Sequence, residues 1–274
     1  MKNLTPLTRK ISYWDDIVNS KNLGPRASLQ AIRPNVLSRF NVYLQLTNPI
    51  RLETIPASPF VAPSIELLKK CYSKSNGISV LKTKIKEKQD VLLRSECQYC
   101  NIGEPNTFDH YLPKADFPEF SALSINLIPC CSACNTEKDD EWKLNGKRSI
   151  INFYYDTLPT VSYLNCSIVY RKNVPQADFS VNSPIIPVNM RDEITNHFTV
   201  LKLTERYKRK SNSEISDVFN TIQPLSAILS RMQIQNQLRT DAARMKAAKG
   251  SNYWRAVLKI ALSNSNRFLT DAGY

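Results

Sequence analysis

The chain has 274 residues, of which 42% are hydrophobic, so it can bury a substantial core in one large domain or two smaller ones. It contains neither an apolar run of about 20 residues, as a transmembrane helix needs, nor the apolar stretch of an N-terminal signal peptide, which favours a cytoplasmic protein without membrane contact. The net charge of +13 arises in the flanks, since residues 1–90 carry +9, residues 190–274 carry +7 and residues 91–189 carry −3. Positive flanks favour either a polyanionic partner or a solubilising surface.

The first 90 residues are predicted to form a basic region in which irregular segments precede two helices. The first 60 residues are irregular in pattern, and the prolines in this part of the chain are Pro25, Pro34, Pro49, Pro56, Pro59 and Pro63, along with Pro6. Helical spacing of apolar residues then predicts helices over 64–75 and about 80–94, the second of which leads directly into a cysteine pair.

Two cysteine pairs follow, Cys97-x-x-Cys100 and Cys131-x-x-Cys134, with 30 residues between them. This is the spacing of a tetrahedral four-cysteine zinc site, in which each pair turns two thiolates towards one ion. Four thiolates leave no coordination position for water, so the zinc would be structural. Cys130 is adjacent to Cys131 and stays open as an alternative ligand, although the two-residue spacing to Cys134 favours Cys131.

The loop between the two pairs, with the residues just after it, offers donor atoms for a second and harder metal ion. Asp109 and His110 are adjacent, and His110 is one of only two histidines in the chain. Asn126, Asn135 and Lys138 follow. Carboxylate and amide oxygens suit Mg²⁺ or Mn²⁺, and a neutral imidazole suits proton transfer near neutral pH. The arrangement predicts metal-assisted activation of water, as in a nuclease.

After the cysteine motif, β-branched and aromatic residues over 161–171 and 177–181 predict a short β-hairpin. The pattern then becomes helical, with helices predicted over 190–210, 213–222, about 225–248 and 252–263. His197 lies within the first of these helices and is predicted to be a packing or surface residue without a catalytic role.

A basic cluster at the end of that helix is a candidate for contacts with nucleic-acid phosphates. Its cations are Arg206, Lys208, Arg209 and Lys210. The alternative is a solvated helix end, which has the same composition.

Together these elements predict an α+β fold, in which a mainly helical chain carries an embedded zinc-stabilised module and a short β-hairpin. Three regions are predicted: a basic N-terminal region over 1–90, the metal-binding module over 91–156, and a C-terminal hairpin with basic helices over 157–274. The flanking regions carry no recognisable motif, which is compatible with docking to a partner protein.

Residues 97–138 resemble the HNH (ββα-metal, His-Me finger) endonuclease family in its four-cysteine zinc form. The segments CQYC, DHYLPK and NLIPCCSACN, followed by Lys138, match the motifs of that family in residue type, order and spacing. The resemblance implies a ββα-metal module that carries a structural zinc ion and binds a catalytic Mg²⁺ or Mn²⁺ ion. The third position of the motif is Asn135 rather than His, as in many members.

The resemblance also implies a role for each polar residue of the module. His110 would be the general base that takes a proton from the attacking water. Asp109 and Asn135 would bind the catalytic cation, and Asn126 would orient the loop that carries His110. Lys138 would neutralise charge that develops on the phosphate.

The activity implied is metal-dependent hydrolysis of phosphodiester bonds, with DNA as the expected substrate and with binding through backbone phosphates. Stand-alone bacterial HNH proteins often act in defence against phage or foreign DNA, sometimes beside an ATPase partner, as in Septu-type systems. An RNA-cleaving toxin nuclease of tRNA type and a non-catalytic zinc-knuckle subunit that binds nucleic acid are the alternatives. The oligomeric state and the choice between nicking and double-strand cleavage stay open.

Overall fold

The computed structural model describes residues 1–8, 10–48 and 50–274, and one of the prolines named above, Pro49, lies outside them. The described part of the chain is α+β, mainly helical, with three small two-stranded sheets. No helix in that part is long and apolar enough to cross a membrane.

The α-helices of the described residues are α1 (Lys10–Asn19), α2 (Leu23–Gln45), α3 (Ser64–Lys69), α4 (Asn76–Glu87), α5 (Val91–Arg94), α6 (Ser132–Lys138), α7 (Val188–Val200), α8 (Leu203–Ile222), α9 (Arg231–Lys249), α10 (Trp254–Asn264) and α11 (Asn266–Asp271). The strands are β1 (Thr107–His110), β2 (Leu127–Cys130), β3 (Lys143–Leu144), β4 (Lys147–Arg148), β5 (Leu164–Arg171) and β6 (Val174–Val181). Short 3₁₀ turns connect some of them, at Leu52–Thr54, Lys70–Tyr72, Pro118–Phe120, Ser124–Asn126, Ser183–Ile185 and Gln223–Ala227.

The N-terminal region is more helical than predicted, and the prediction of irregular structure there is wrong for α1 and α2. Pro25 lies in the first turn of α2, where backbone N–H groups have no partner within the helix. Pro34 lies inside α2, where it removes one hydrogen bond. Burial of Leu29, Val36 and Phe40 on the same helix offsets that loss.

The two helices predicted before the cysteine motif are present but interrupted. α3 passes into a 3₁₀ turn that ends at Tyr72. α4 begins after Ser75, whose side chain accepts a hydrogen bond from the Ile78 N–H. Asp90 caps α5 with its own side chain, so a new helix begins where a continuous one is predicted.

The centre of the chain is a strand–strand–helix unit. β1 and β2 pair antiparallel, with Asp109 opposite Ile128 and His110 opposite Leu127, and α6 packs against β1. Neighbouring residues of a strand point to opposite faces, so the side chains of Asp109 and His110 point away from each other.

A buried ion pair anchors the segment that follows this unit. Arg148 donates two hydrogen bonds of 2.8 Å to the carboxylate of Asp156, and both residues are buried. The Tyr154 hydroxyl donates to the Leu127 carbonyl of β2 at 3.0 Å. The bidentate pair and this hydrogen bond fix the segment against the two strands.

β5 and β6 form the predicted hairpin, and their pairing ends at Arg171 opposite Val174. The turn residues Lys172 and Asn173 have φ values of +49° and +63°. Two successive positive φ values are typical of a type I′ turn, whose twist fits that of a hairpin.

The C-terminal helices differ from the prediction at their boundaries. The helix predicted over 190–210 is two helices, because Lys202 has a φ of +51° and interrupts the chain between α7 and α8. α8 then continues through 213–222, where a separate helix is predicted. α9 and α10 correspond to the remaining two predictions, and a capping box of Ser230 and Gln233 starts α9.

The three predicted regions share one hydrophobic core within the described residues. The amino group of Met1 donates to the carbonyl of Lys249 in α9 at 2.8 Å, and the Leu4 N–H donates to the Phe153 carbonyl at 2.8 Å. The N-terminal residues therefore contact both later regions. The division at residues 90 and 156 stays a prediction.

Candidate metal centre and neighbouring site

The first cysteine pair lies in a tight turn stabilised by backbone hydrogen bonds. The Cys97 N–H donates to the Gly103 carbonyl, and the Asn101 N–H donates to the Cys97 carbonyl, both at 2.7 Å. Asn101 has a φ of +52°, which turns the chain directly after Cys100. The Ile102 N–H donates to Cys100 Sγ at 3.4 Å. The turn thereby brings both sulfur atoms of the pair into one cluster.

The second pair lies at the start of α6. Cys131 is the N-cap of the helix, and its Sγ accepts a hydrogen bond from the Cys134 N–H at 3.4 Å. Gly103 of the first turn lies so close that an added Cβ atom would be 3.1 Å from the Cys131 Cβ. A side chain at position 103 would require Cys131 to shift by a few tenths of an ångström, so glycine suits the close approach of the two pairs.

The two pairs form one buried group, the four-cysteine cluster, of Cys97, Cys100, Cys131 and Cys134, whose sulfur atoms all lie within 4.8 Å of one another. Four Zn–S bonds of about 2.3 Å in tetrahedral geometry separate sulfur atoms by about 3.8 Å, and Cys100 Sγ lies 3.8 Å from Cys131 Sγ. The four cysteines form no disulfide, so this donor set fits a structural zinc ion. Among the described residues it is the only group of three or more His, Cys, Asp or Glu side chains placed to hold a metal ion.

Cys130 is not part of the four-cysteine cluster. It is the last residue of β2 and pairs with Thr107 of β1. Its side chain is buried, and burial raises the pKa of its thiol, so that it stays protonated. The geometry therefore favours Cys131 over Cys130 as the ligand.

Arg206 of α8 is directed at the four-cysteine cluster. Its guanidinium donates to Cys134 Sγ at 3.1 Å and lies 3.6 and 3.7 Å from the sulfur atoms of Cys100 and Cys131. A zinc ion with four thiolates carries excess negative charge, which a guanidinium in this position partly compensates. Only 8% of Arg206 is exposed. Its guanidinium is thus engaged with sulfur, although Arg206 also lines a cleft beside Arg209 and Lys210, and its contact with nucleic acid stays a prediction.

The other three cations of the predicted basic cluster lie in different surroundings. Lys208 pairs with Asp178 of β6 at 3.2 Å. Arg209 and Lys210 are exposed, and they line a cleft of about 360 Å³ beside the start of α6. Of the four residues, Arg209 and Lys210 are the best placed to contact a nucleic acid, and that role stays a prediction.

His110 is half-buried at the end of β1. Its Nε2 atom lies 2.9 Å from the Ser121 carbonyl oxygen. A carbonyl oxygen can only accept a hydrogen bond, so Nε2 carries the proton and Nδ1 keeps its lone pair. The ring of Tyr72 packs edge-on against the imidazole, with the ring centroids 4.3 Å apart. These contacts orient the imidazole and make Nδ1 its basic nitrogen.

The surroundings of His110 keep its imidazole neutral. Burial is the main cause that lowers the pKa of His110 from 6.5 to about 4. The positive charges of Lys114, Lys138 and Lys82 act in the same direction, and the hydrogen bond to Ser121 opposes them. At neutral pH the imidazole is therefore uncharged, and its Nδ1 atom carries no proton.

Asn126 is fully buried and holds the loop that follows His110. Its Oδ1 accepts a hydrogen bond from the Leu112 N–H at 2.8 Å, and its Nδ2 donates to the carbonyls of Leu112 and Phe120 at 3.0 and 3.2 Å. Its backbone carbonyl accepts from the Tyr111 N–H at 2.8 Å. This is an orienting position, as the resemblance implies, and a direct part in catalysis stays a prediction.

Asp109 and Lys138 form a buried ion pair on the other face of β1. Lys138 Nζ lies 3.1 Å from Asp109 Oδ1, and the Tyr99 hydroxyl donates to Asp109 Oδ2 at 2.7 Å. Lys138 also donates to the His110 carbonyl at 3.0 Å. The ammonium of Lys138 is buried and paired within the protein, and its role in neutralising charge on a phosphate stays a prediction.

The side chains of Asp109 and Asn135 have suitable donor atoms for a catalytic cation, but the contacts that Asp109 makes in this structure oppose its binding. Both residues offer hard oxygen atoms, as Mg²⁺ requires, and Asn135 is half-buried on α6. Both carboxylate oxygens of Asp109, however, already contact Lys138 and Tyr99. Burial raises the pKa of Asp109, and the charge of Lys138 opposes that shift. A divalent cation would have to replace the ammonium beside Asp109.

Residues outside the sequence motif surround His110. They are Tyr72 from the 3₁₀ turn after α3, Lys82 from α4 and Lys114 from the loop after β1, while Lys86 of α4 lies beside Phe108 of the same strand. Part of this grouping has a signal in the sequence, since Lys82 and Lys86 are four residues apart and share a helix face. Their approach to β1 depends on the packing of α4 and is not visible in the sequence.

His197, the other histidine, is a core residue, which confirms the prediction of a packing role. Its Nε2 donates to the Tyr99 carbonyl at 2.9 Å, and its Nδ1 accepts from the Ile151 N–H at 3.4 Å. Burial lowers the pKa of His197 to about 4. The side chain joins α7 to the turn of the first cysteine pair.

No family model and no solved structure matches this chain. Protein ea31 of Escherichia phage lambda is similar to it, with 28% identity over 65% of this chain and 66% of that protein. The chain thus spans slightly less than two thirds of the length of this relative. The similarity assigns no activity to this chain.

Proposed function

We propose that the protein is a metal-dependent endonuclease of the HNH type that hydrolyses phosphodiester bonds in DNA. The observation that carries the proposal is the orientation of His110, whose Nε2 atom lies 2.9 Å from the Ser121 carbonyl oxygen, so that Nδ1 is its basic nitrogen. Two further features support it. β1, β2 and α6 follow the order strand, strand, helix, and the four-cysteine cluster joins the start of α6 to the chain before β1.

In the proposed reaction His110 Nδ1 takes a proton from the water molecule that attacks phosphorus. A bond forms between the water oxygen and phosphorus, the bond from phosphorus to the leaving oxygen breaks, and the leaving oxygen takes a proton from solvent. General-base catalysis of this kind contributes about 10²- to 10⁴-fold to the rate. Asn126 contributes by holding Leu112, which keeps the end of β1 in place.

The proposal includes a divalent cation, Mg²⁺ or Mn²⁺, held by Asp109 and Asn135. When bound, the cation would supply a Lewis acid for the scissile phosphate and the leaving oxygen. Because Lys138 pairs with Asp109, the ammonium has to move from the carboxylate before the cation binds. Cation dependence therefore needs a test separate from the test of His110.

A role in bacterial defence, with an ATPase partner of the Septu type, is proposed on the resemblance alone. The relative from phage lambda adds that a similar sequence is carried by a phage. Purification of a tagged chain expressed together with its neighbouring genes tests the partner. The expected result is a stable complex with an ATPase, and a chain that purifies alone would contradict it.

The activity is tested by incubating purified wild type and His110→Ala with supercoiled plasmid, single-stranded DNA and total tRNA, each with Mg²⁺, with Mn²⁺ and with a chelator. We expect wild type to cleave DNA only with a divalent cation, and His110→Ala to lose cleavage while keeping its zinc and thermal stability. Lys88→Gln is the matched control, because Lys88 is exposed and outside the group around His110. Zinc content measured after each incubation separates loss of the structural ion from loss of the catalytic one.

The other outcomes discriminate between the alternatives. Cleavage of tRNA without cleavage of DNA would favour the RNA-directed nuclease. Salt-sensitive DNA binding without cleavage of any substrate would favour the non-catalytic zinc-knuckle subunit. Equal cleavage by wild type and His110→Ala would contradict the proposal.

A further inference from the structure

Cations and an aromatic ring are grouped beside the proposed base. Lys82 Nζ lies 4.0 Å from the centroid of the Tyr72 ring, and Lys114 Nζ lies 5.7 Å from the same centroid. The Tyr72 ring is the one that packs against His110, and its hydroxyl donates to the Phe108 carbonyl of β1 at 3.3 Å. The ring of Tyr72, whose hydroxyl is hydrogen-bonded to β1, thus lies beside the imidazole of His110 and the ammonium groups of Lys82 and Lys114.

A third cation extends the group along β1. The Nζ atoms of Lys82 and Lys86 lie 5.8 and 5.7 Å from the centroid of the Phe108 ring. Phe108 precedes His110 by two residues in β1, so the two side chains point to the same face of the strand. The lysine cluster, defined as Lys82, Lys86 and Lys114, therefore lies on the His110 face of the strand.

The lysine cluster has no anionic partner in the part of the chain that the structure describes. None of its three ammonium groups forms an ion pair there, whereas Lys84, on another face of α4, pairs with Glu87 at 2.8 Å. Burial lowers the pKa of Lys82, and the charges of Lys114 and Lys86 lower it further. Grouped like charges without a counter-charge repel one another, and an anion from solution relieves that repulsion.

The composition of the cluster identifies the kind of anion. Lysine binds phosphate as a point charge and lacks the planar fork of a guanidinium, so it accepts a phosphate in many orientations. Lys82 lies close to the half-buried Tyr72 ring, which leaves that ring poorly placed to stack on a base. The surroundings thus suit a backbone phosphate and not a nucleobase.

We propose that the lysine cluster is the substrate-phosphate subsite of this chain, in which Lys82 and Lys114 bind the non-bridging oxygens of a DNA phosphate beside His110. The proposal rests on the proposed nuclease function and names the residues that hold its substrate. Tyr72 is a positioning residue, since it lies beside both ammonium groups and the imidazole. Lys86, one helical turn from Lys82, carries the positive surface further along the backbone.

The proposal is tested by DNA binding in the His110→Ala background, where cleavage does not interfere. The affinity for a short fluorescein-labelled DNA duplex is measured over a range of salt concentrations without added divalent cation. We expect Lys82→Gln and Lys114→Gln each to reduce the slope of log K against log salt by about 1, and the double variant by about 2. Lys82→Arg keeps the charge and is expected to keep the slope.

Lys88→Gln is the matched control, since it removes one charge from an exposed position just beyond α4 and outside the lysine cluster. Equal slopes for Lys82→Gln and Lys88→Gln would overturn the subsite. DNA binding would then depend on the net charge of the protein and not on the position of the lysine. Absence of DNA binding by His110→Ala at low salt would also overturn it. A labelled RNA bound more tightly than DNA, with the same lysine dependence, would overturn the choice of DNA.

These results are separable from the fate of the nuclease proposal. A wild type that cleaves DNA, with lysine variants that bind and cleave as well as Lys88→Gln, refutes the subsite alone. A wild type that binds DNA through the lysine cluster but cleaves nothing refutes the nuclease and retains the phosphate site. Thermal unfolding of each variant shows whether a loss of binding reflects a loss of fold.

Discussion

The two ends of the strand–strand–helix unit differ in how their positively charged side chains are paired. At the four-cysteine cluster, Arg206 is buried and donates to sulfur. At His110, the lysine cluster is partly exposed and has no ion pair among the described residues. Arg206 has a partner within the protein, and the lysine cluster has no anionic partner among the described residues. A net charge of +13 does not distinguish these cases, because the function of each cation depends on what it faces.

The largest expected effect is the loss of the four-cysteine cluster. Cys100→Ser removes one ligand and is expected to unfold the unit, since structural zinc binds small domains with an apparent free energy of about 10–16 kcal/mol. Thermal unfolding and zinc content measure the effect. Cys166→Ser is the control, because Cys166 is half-buried in β5 and outside the cluster. Equal stability of the two variants would contradict a structural metal centre.

Removal of the buried guanidinium is expected to have the next largest effect. Arg206→Met keeps much of the side-chain volume but leaves the charge of the cluster uncompensated, and breaking a buried charged pair costs about 3–5 kcal/mol. The free energy of unfolding and the rate of zinc loss to a chelator are both measured. Arg209→Met, at an exposed position, is expected to change stability by about 0.5 kcal/mol or less. If the two variants lose zinc at the same rate, Arg206 does not serve the cluster.

The two histidines predict a loss of stability in acid. Burial lowers the pKa of His110 and of His197 from 6.5 to about 4, so between these values the unfolded chain binds protons that the folded chain does not. The stability that depends on neutral histidines is fully present above the pKa of histidine in the unfolded chain. It is lost as the pH falls through the pKa of the two histidines in the folded chain. Urea unfolding over this pH range measures it, and His110→Gln should flatten the dependence. A pH-independent free energy of unfolding in wild type would contradict the burial of both rings.

The smallest effect is expected at the hydroxyl behind β1. Tyr99→Phe removes the hydrogen bond to Asp109 Oδ2 and leaves a buried carboxylate oxygen without that donor, at a cost of about 1–3 kcal/mol. Tyr170→Phe is the matched control, since the Tyr170 hydroxyl donates to Asp271 at the surface. Urea unfolding compares the two. Equal stabilities would show that Asp109 is solvated and does not lie in the interior.

The spacing of residues along the sequence predicts those parts of the structure that depend only on contacts between neighbouring residues. Cys97 and Cys100 lie in one tight turn, and Cys131 and Cys134 lie in the first turn of a helix, so each pair is fixed by a few backbone hydrogen bonds. The β5–β6 hairpin is predictable for the same reason. A resemblance to a known motif adds the positions of His110 and Asn126, which no periodicity of the sequence supplies.

Tertiary packing determines what the sequence does not predict. Pro34 signals a helix break, yet α2 continues because its apolar face is buried. Lys138 and Arg206 have the composition of surface cations, but each is enclosed by elements distant in sequence, β1 for Lys138 and both cysteine turns for Arg206. The sequence does not predict the lysine cluster either, because α4 and the loop after β1 come together only in the folded chain.

The most direct test of the central claim is the rate of plasmid cleavage by His110→Gly, measured with and without added imidazole. If Nδ1 of His110 is the general base, the variant should lose about 10²- to 10⁴-fold in rate, and imidazole should restore part of the activity, with zinc content unchanged. Cleavage by His110→Gly at the wild-type rate would contradict the account.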